Sequence, residues 1–203
     1  YSLFERTWSM RGMENVLTDM ITNPEFIEDL MDRITEYNLR VISKALDLGF
    51  DGVYFGDDWG WQRGLIMGPA MWRKFIKPRM GQMYAYIKSR GRKVFLHCCG
   101  KVDELFPDLI EIGLDVFNPF QPEVMDIFTI KKHYHGKLSF YGGIGVQSLL
   151  PFGTVDEVKR GVKNIVDEIG KNGGYIASPS HAIPKDVPCE NIIAMLEVLN
   201  NQS

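Results

Sequence analysis

Short apolar strands and amphipathic helical stretches alternate about five times along this chain, and that alternation restricts its fold more than any other feature. Gly52-Val53-Tyr54-Phe55-Gly56, Lys93 to His97, Leu114 to Asn118, Leu138 to Gly143 and Tyr175 to Ser178 read as strands. The stretches between them carry helical spacing. Ile27, Leu30, Met31, Ile34, Val41, Ile42, Ala45 and Leu46 recur after Asn23-Pro24-Glu25, a start with a capping side chain, and stop at Gly49. Trp72, Phe75, Ile76, Met80, Met83 and Ile87 follow Gly68-Pro69, with Pro78 expected to kink or divide that helix. Further helices are expected near 102–112 and 126–134, after the Thr154-Val155-Asp156-Glu157 capping box, and from Pro188 to about Leu199. Tyr1 to Met20 shows no single period and reads as a connecting segment with a short helix near 13–21. The segment from Asp57 to Met67 reads as a loop.

Strands joined by helices predict a parallel sheet with crossover helices. A doubly wound sheet and a (β/α) barrel both satisfy this. No glycine-rich dinucleotide fingerprint follows a strand, which argues against a Rossmann domain. Polar residues instead gather at one strand end after another: Asp57-Asp58, His97-Cys99, Asn118-Gln121, Gly142-Gly143 and Ser180-His181. In a barrel those ends converge on one mouth. The reading is therefore an α/β chain, the C-terminal portion of a (β/α)8 TIM barrel, with residues 1–203 as a single domain. A full barrel takes eight strands and ~250 residues. With five strands and a start at Tyr1, the first strands are expected upstream.

Composition excludes some functions. A net charge of −3 and the lack of a basic stripe give no pull toward nucleic acid or an anionic membrane. No apolar run approaches the ~20 residues of a membrane span. The three cysteines, Cys98, Cys99 and Cys189, are odd in number, and two are adjacent. That is a poor disulfide framework and suits a cytoplasmic protein.

The chemistry concentrates at His97-Cys98-Cys99-Gly100. Strand residues alternate faces, so His97 and Cys99 share one face and Cys98 takes the other. An imidazole and a thiolate side by side make a zinc half-site. Two buried core thiols beside an interior histidine are the structural alternative. One of Asp57 and Asp58 should face the mouth, with Asp58 favoured; a plain loop start competes. Trp59 and Trp61 either pack or line a pocket for a flat ligand. Asn118 and Gln121 are candidate substrate contacts, although the prolines beside them also suit a turn. Gly142-Gly143 suits a turn or the close approach of a ligand. His133 and His135 sit in a charged helix end and read as solvated.

The succession of motifs resembles the uroporphyrinogen decarboxylase superfamily, which includes the decarboxylase and cobamide-dependent methyltransferases. The matching segments are Gly56-Asp57-Asp58-Trp59-Gly60, Phe75-Ile76-Lys77-Pro78-Arg79, His97-Cys98-Cys99-Gly100 and Asn118-Pro119-Phe120-Gln121-Pro122-Glu123. Tyr141-Gly142-Gly143-Ile144 and Ser178-Pro179-Ser180-His181, running into Pro188-Cys189-Glu190-Asn191, complete the series. The resemblance implies a (β/α)8 barrel with its site in the C-terminal mouth. The methyltransferase branch binds zinc through His-x-Cys and a distant cysteine, which implies His97 and Cys99 as ligands here. At the distant position stands Ser180-His181, so His181 either completes a His/Cys/His site or faces substrate as an acid or hydrogen-bond donor. Cys189, in the first turn of a helix, is an unsuitable substitute.

The expectation is thus a zinc-dependent methyltransferase or demethylase. It would move a methyl group between a corrinoid carried by a partner protein and a small thiol, folate or methoxylated compound. Asp58 would assist, and Asp57, Trp59, Asn118, Gln121 and Gly143 would contact substrate. The alternatives are a metal-free decarboxylase of the same superfamily and a non-catalytic corrinoid- or tetrapyrrole-binding module.

Overall fold

A computed structural model describes residues 2–201; Tyr1, Gln202 and Ser203 lie outside it. Five strands form a parallel sheet alternating with helices, in the order β1 (Gly52–Gly56), β4 (Lys93–His97), β5 (Val116–Asn118), β6 (Ser139–Ile144) and β7 (Tyr175–Pro179). The chain divides into two compact units, residues 1–116 and 117–203.

The first unit opens with α1 (Phe4–Arg11), α2 (Met13–Thr22) and α3 (Pro24–Asp47). α2 stands where a short helix was expected near 13–21, whereas the connecting segment before it is also helical, over Phe4–Arg11. Leu3, at the N-cap of α1, offers no capping side chain, so nothing local announces the helix. Its cap comes from Asp57, more than fifty residues away, which accepts the N–H groups of Leu3, Phe4 and Glu5. Asn23 stands at the N-cap of α3, but its side chain makes no capping bond, contrary to expectation. Pro24 in the first turn supplies the start instead. Ile27, Met31, Ile34, Ile42 and Leu46 form the buried stripe of α3, whereas Val41 is exposed.

β1 (Gly52–Gly56) follows. The expected loop after it contains a small antiparallel ladder, β2 (Gly60–Trp61) with β3 (Gly64–Leu65). Next come α4 (Gly68–Met71) and α5 (Lys77–Ser89), joined by a π-helical turn over Trp72–Ile76. Pro78 lies in the first turn of α5 and cannot donate to the preceding carbonyls. The helix accommodates it by widening into the π turn, with Trp72, Phe75 and Ile76 all buried. Arg79 ties α5 to α3 through Asp32 at 2.7 Å and the Glu28 carbonyl at 3.1 Å.

β4 (Lys93–His97) pairs in parallel with β1, Tyr54 opposite Phe95 and Gly56 opposite His97. A 3₁₀ turn at Asp103–Leu105 runs into α6 (Phe106–Glu111). β5 (Val116–Asn118) carries the chain into the second unit.

The second unit holds α7 (Ile127–Tyr134), β6 (Ser139–Ile144), α8 (Leu149–Phe152), α9 (Val155–Ile169), β7 (Tyr175–Pro179) and α10 (Cys189–Asn200). β6 and β7 are parallel, with Gly143 opposite Ser178. The capping box at Thr154 and Glu157 is complete in both directions. Val158, Val162, Leu150, Ala194 and Met195 pack with Ile144 into the core of this unit. The short helix α8 had no expectation attached to it. Among the described residues no helix is long and apolar enough to cross a membrane.

Candidate functional site

β1 and β4 alternate between a buried and an open side. Val94, Leu96 and Cys98 are buried on one side, while Phe95, His97 and Cys99 are partly open on the other. Tyr54, Gly56 and Asp58 continue the open face on β1 and beyond it, and Phe55 and Asp57 are buried. Strand alternation accounts for both sides.

The first unit brings His97, Cys99 and Asp58 together. The His97 Nε2 atom lies 3.3 Å from Cys99 Sγ. Asp58 accepts the Cys99 backbone N–H at 2.8 Å, and its Oδ1 lies 4.0 Å from His97 Nε2. At a tetrahedral zinc with Zn–N of about 2.0–2.1 Å and Zn–S of about 2.3 Å, neighbouring nitrogen and sulfur ligands stand about 3.6 Å apart. The observed pair is close to that spacing, so these two donors fit one ion. Burial, and then Asp58 beside it, push the Cys99 thiol up to about 12. A bare Cys99 is therefore a neutral thiol at physiological pH, and only a cation at the sulfur would make it a thiolate. Cys98 faces inward and accepts the Trp59 N–H at 3.2 Å. It is a core thiol, and burial pushes its pKa up.

Two residues expected at the substrate have structural roles instead. Asp57 is fully buried, and besides capping α1 it accepts the Trp59 Nε1–H at 2.7 Å. Both of its oxygens are taken by these donors. Trp59 is also fully buried, edge-on to Trp72 at 5.3 Å between ring centres. Trp61 is exposed.

In the second unit, Asn118 is buried and donates to the Tyr141 carbonyl at 3.0 Å. Gln121 is buried, and its carbonyl accepts the Met125 N–H in the turn before α7. Gly143 is buried on β6, and a Cβ there would stand 2.7 Å from the Tyr175 hydroxyl. That phenol donates to the Gly142 carbonyl at 2.7 Å, so Gly143 makes room for a neighbouring side chain of its own unit. Ser180 is buried just past β7, its N–H bonded to the Ile144 carbonyl, and His181 follows it as an exposed residue. Cys189 is exposed at the start of α10.

Sequence reasoning missed two groups near the half-site. The Tyr54 hydroxyl lies 3.4 Å from His97 Nδ1. Glu5 enters from α1; its carboxylate takes the Asp58 backbone N–H, and burial, then Asp58 and Asp57, raise its pKa to about 7. Parallel register would have revealed Tyr54, but strand pairing is not written in the sequence. Nothing local points to Glu5.

The raised carboxyls set a pH dependence. Burial lifts Asp57 to about 6 against the opposing hydrogen bonds from Glu5, Phe4, Trp59 and Leu3. Both Glu5 and Asp57 bind a proton more tightly folded than unfolded. Their contribution to stability is complete below about pH 4 and is lost as pH rises through about 6 to 7. Urea midpoints at constant ionic strength should fall across that window. Glu5→Gln should flatten the upper part of the fall, and an unchanged slope in that variant would rule Glu5 out as its source.

The family model described as uroporphyrinogen decarboxylase (URO-D) matches residues 5–202. The chain belongs to the uroporphyrinogen decarboxylase family. Its curated relatives include a uroporphyrinogen decarboxylase of Geotalea daltonii, 23% identical over 187 residues, covering 91% of this chain and 51% of the relative. Another is the methylcobamide:CoM methyltransferase MtaA of Methanosarcina barkeri, 24% identical over 198 residues, covering 92% of this chain and 55% of the relative. A solved structure, a methyltransferase from Methanosarcina mazei, superposes with a TM-score of 0.76 at 19% identity, covering 96% of this chain and 55% of that one. That likeness establishes a shared fold. The chain spans about half the length of the curated relatives it matches. The family thus includes both decarboxylases and methyltransferases.

Proposed function

We propose that this uroporphyrinogen decarboxylase-family chain belongs to a zinc-dependent methyltransferase or demethylase. The observation that carries the reading is the His97 Nε2–Cys99 Sγ pair, 3.3 Å apart at the end of one strand. A metal-free decarboxylase has no need of such a pair. His97 and Cys99, with His181 as the third ligand at the position that the family resemblance implies, form the proposed donor set, two imidazoles and one thiolate. Three protein ligands leave a fourth position for substrate, the pattern of catalytic rather than structural zinc. Zinc held there would strip the proton from a substrate thiol, or activate an oxygen nucleophile, at neutral pH. Asp58 fixes Cys99 through its backbone N–H and presents a carboxylate beside the His97 ring, where it can take the proton released as the nucleophile binds. The methyl group would pass between a corrinoid on a partner protein and a small thiol, folate or methoxylated compound, in the cytoplasm. Asn118, Gln121 and Gly143 remain candidates for substrate contact in the whole protein.

The decarboxylase named in Geotalea daltonii supports a second reading, metal-free decarboxylation. A binding-only module draws on the exposed Trp61 and on the lack of a cysteine at the distant ligand position, since Trp59 is buried in the core.

Metal content separates these readings. The full-length protein, purified without added metal, should hold close to one zinc per chain by elemental analysis, and Cys99→Ala should abolish it. A parent that takes up no zinc, even when incubated with it under reducing conditions, would eliminate the methyltransferase reading in favour of the decarboxylase.

A further inference from the structure

The geometry points to Tyr54 as the positioning residue of the His97 ring: its hydroxyl anchors Nδ1 so that Nε2 stays aimed at the ion that Cys99 shares. This inference rests on the zinc reading above. The ring has two nitrogens, and they face different partners, with Nε2 3.3 Å from Cys99 Sγ and Nδ1 3.4 Å from the Tyr54 hydroxyl. The parallel register explains how a residue on the neighbouring strand reaches it. Tyr54 lies opposite Phe95, one same-face step before the Gly56–His97 pair. Gly56 puts no side chain beside His97, and a Cβ built there meets nothing within 4 Å. No side chain on Gly56 stands between the Tyr54 hydroxyl and the His97 ring it reaches.

The Tyr54 ring is not needed for the core. It is 53% exposed, and it lies tilted to both Phe95 and His97 with ring centres 6.4 Å apart in each case. What it contributes at His97 is a hydroxyl that both donates and accepts. When Nε2 is a ligand, the ring proton must sit on Nδ1, and Tyr54 accepts it. When no ion is present and the proton moves to Nε2, the same hydroxyl donates to Nδ1. The ring therefore keeps one orientation in both states, and no proton on Nδ1 has to find a new partner when metal binds.

The test is zinc affinity, measured on the full-length protein by competition with a chromophoric chelator. Tyr54→Phe keeps the ring and removes the hydroxyl. It should weaken zinc binding about 10-fold, the lower end of the range for losing such a partner. The urea midpoint of the metal-free protein should not move. With cobalt(II) in place of zinc, the thiolate charge-transfer band should persist in Tyr54→Phe and vanish in Cys99→Ala, because the phenol is not itself a ligand. Tyr86→Phe, which removes an α5 phenol that donates to Ser43 on α3, serves as a control and should leave zinc affinity unchanged. Parent-like affinity in Tyr54→Phe overturns the inference, and so does a loss of affinity that a lower midpoint explains. A parent that binds no zinc defeats the zinc reading itself, a different result from a parent that binds zinc and a variant that binds it equally well.

Discussion

Gly100→Ala should cost the protein about 3–5 kcal/mol and, on the zinc reading proposed above, abolish metal uptake at the His97–Cys99 pair. Two stretches of backbone touch at this position. A Cβ on Gly100 would stand 2.5 Å from the Gly60 carbonyl carbon, 2.5 Å from Trp61 N and 2.8 Å from Trp61 O. The contact is reciprocal, since a Cβ on Gly60 would meet the Cys99 carbonyl oxygen at 2.5 Å. These are main-chain atoms, so no side chain can swing aside. Gly100 also has φ of +85°, a conformation that costs a residue with a side chain about 1–3 kcal/mol before any clash. Relieving the overlap means moving the Cys99–Lys101 turn off the β2 strand, which breaks the Lys101 N–H bond to the Trp61 carbonyl. It also shifts Cys99 away from Asp58 and His97. The measurements are a urea titration and elemental zinc on the full-length protein. Gly91→Ala is the comparison, because Gly91 shares the positive φ but its Cβ would meet nothing within 4 Å. It should lose about 1 kcal/mol and, on the same reading, take up zinc as the parent does. Equal losses in the two variants would show that the close approach contributes nothing.

The parts of the fold legible in the sequence were those written in local period. The α3 stripe, the β4 strand and the Thr154 capping box all follow from residues within one or two turns of each other. The inward Cys98 and outward His97 and Cys99 follow from alternation in the same way. What local pattern could not supply is anything held across the chain. α1 has no capping residue of its own because Asp57 caps it from a distance, so its sequence reads as a linker. Asp57 and Trp59 read as substrate contacts in the sequence because polar residues gather at strand ends and an indole there suits a flat ligand. Their burial reflects the arrival of α1 and Trp72, which neither residue announces. The Tyr54–His97 contact spans 43 positions and depends on strand register, so it appears only once β1 and β4 are paired. In the proposed centre the sequence shows the donors, and the paired strands show what orients them.

Asp57→Ala should be among the most damaging single substitutions in the first unit, and for reasons unconnected with substrate. Four donors converge on its two buried oxygens: Leu3 N–H at 3.3 Å, Phe4 N–H at 3.0 Å, Glu5 N–H at 2.8 Å and Trp59 Nε1–H at 2.7 Å. Hydrogen bonds to a charged group contribute about 1.5–3 kcal/mol each, so their joint loss is on the order of 6–12 kcal/mol. Against this, burial has raised the carboxyl from 3.8 to about 6, and removing it returns about 3 kcal/mol at neutral pH. Donors that share one acceptor group are coupled, and their individual losses do not add in full. A net loss of about 4 kcal/mol remains, a large part of the ~5–15 kcal/mol that holds a typical domain together. Asp57→Asn separates the two effects. It removes the charge, keeps one acceptor oxygen, and turns an amide donor toward the remaining N–H groups, so it should lose roughly half as much. The order parent, Asn, Ala in urea midpoint is the expected result, with hydrogen exchange accelerated first in residues 3–11, where the cap is lost. Glu5 should follow, because its carboxylate takes the Asp58 N–H only while α1 stays docked on Asp57. An Ala variant as stable as the parent would mean that α1 is held by its packing alone and that the buried carboxylate caps nothing that matters.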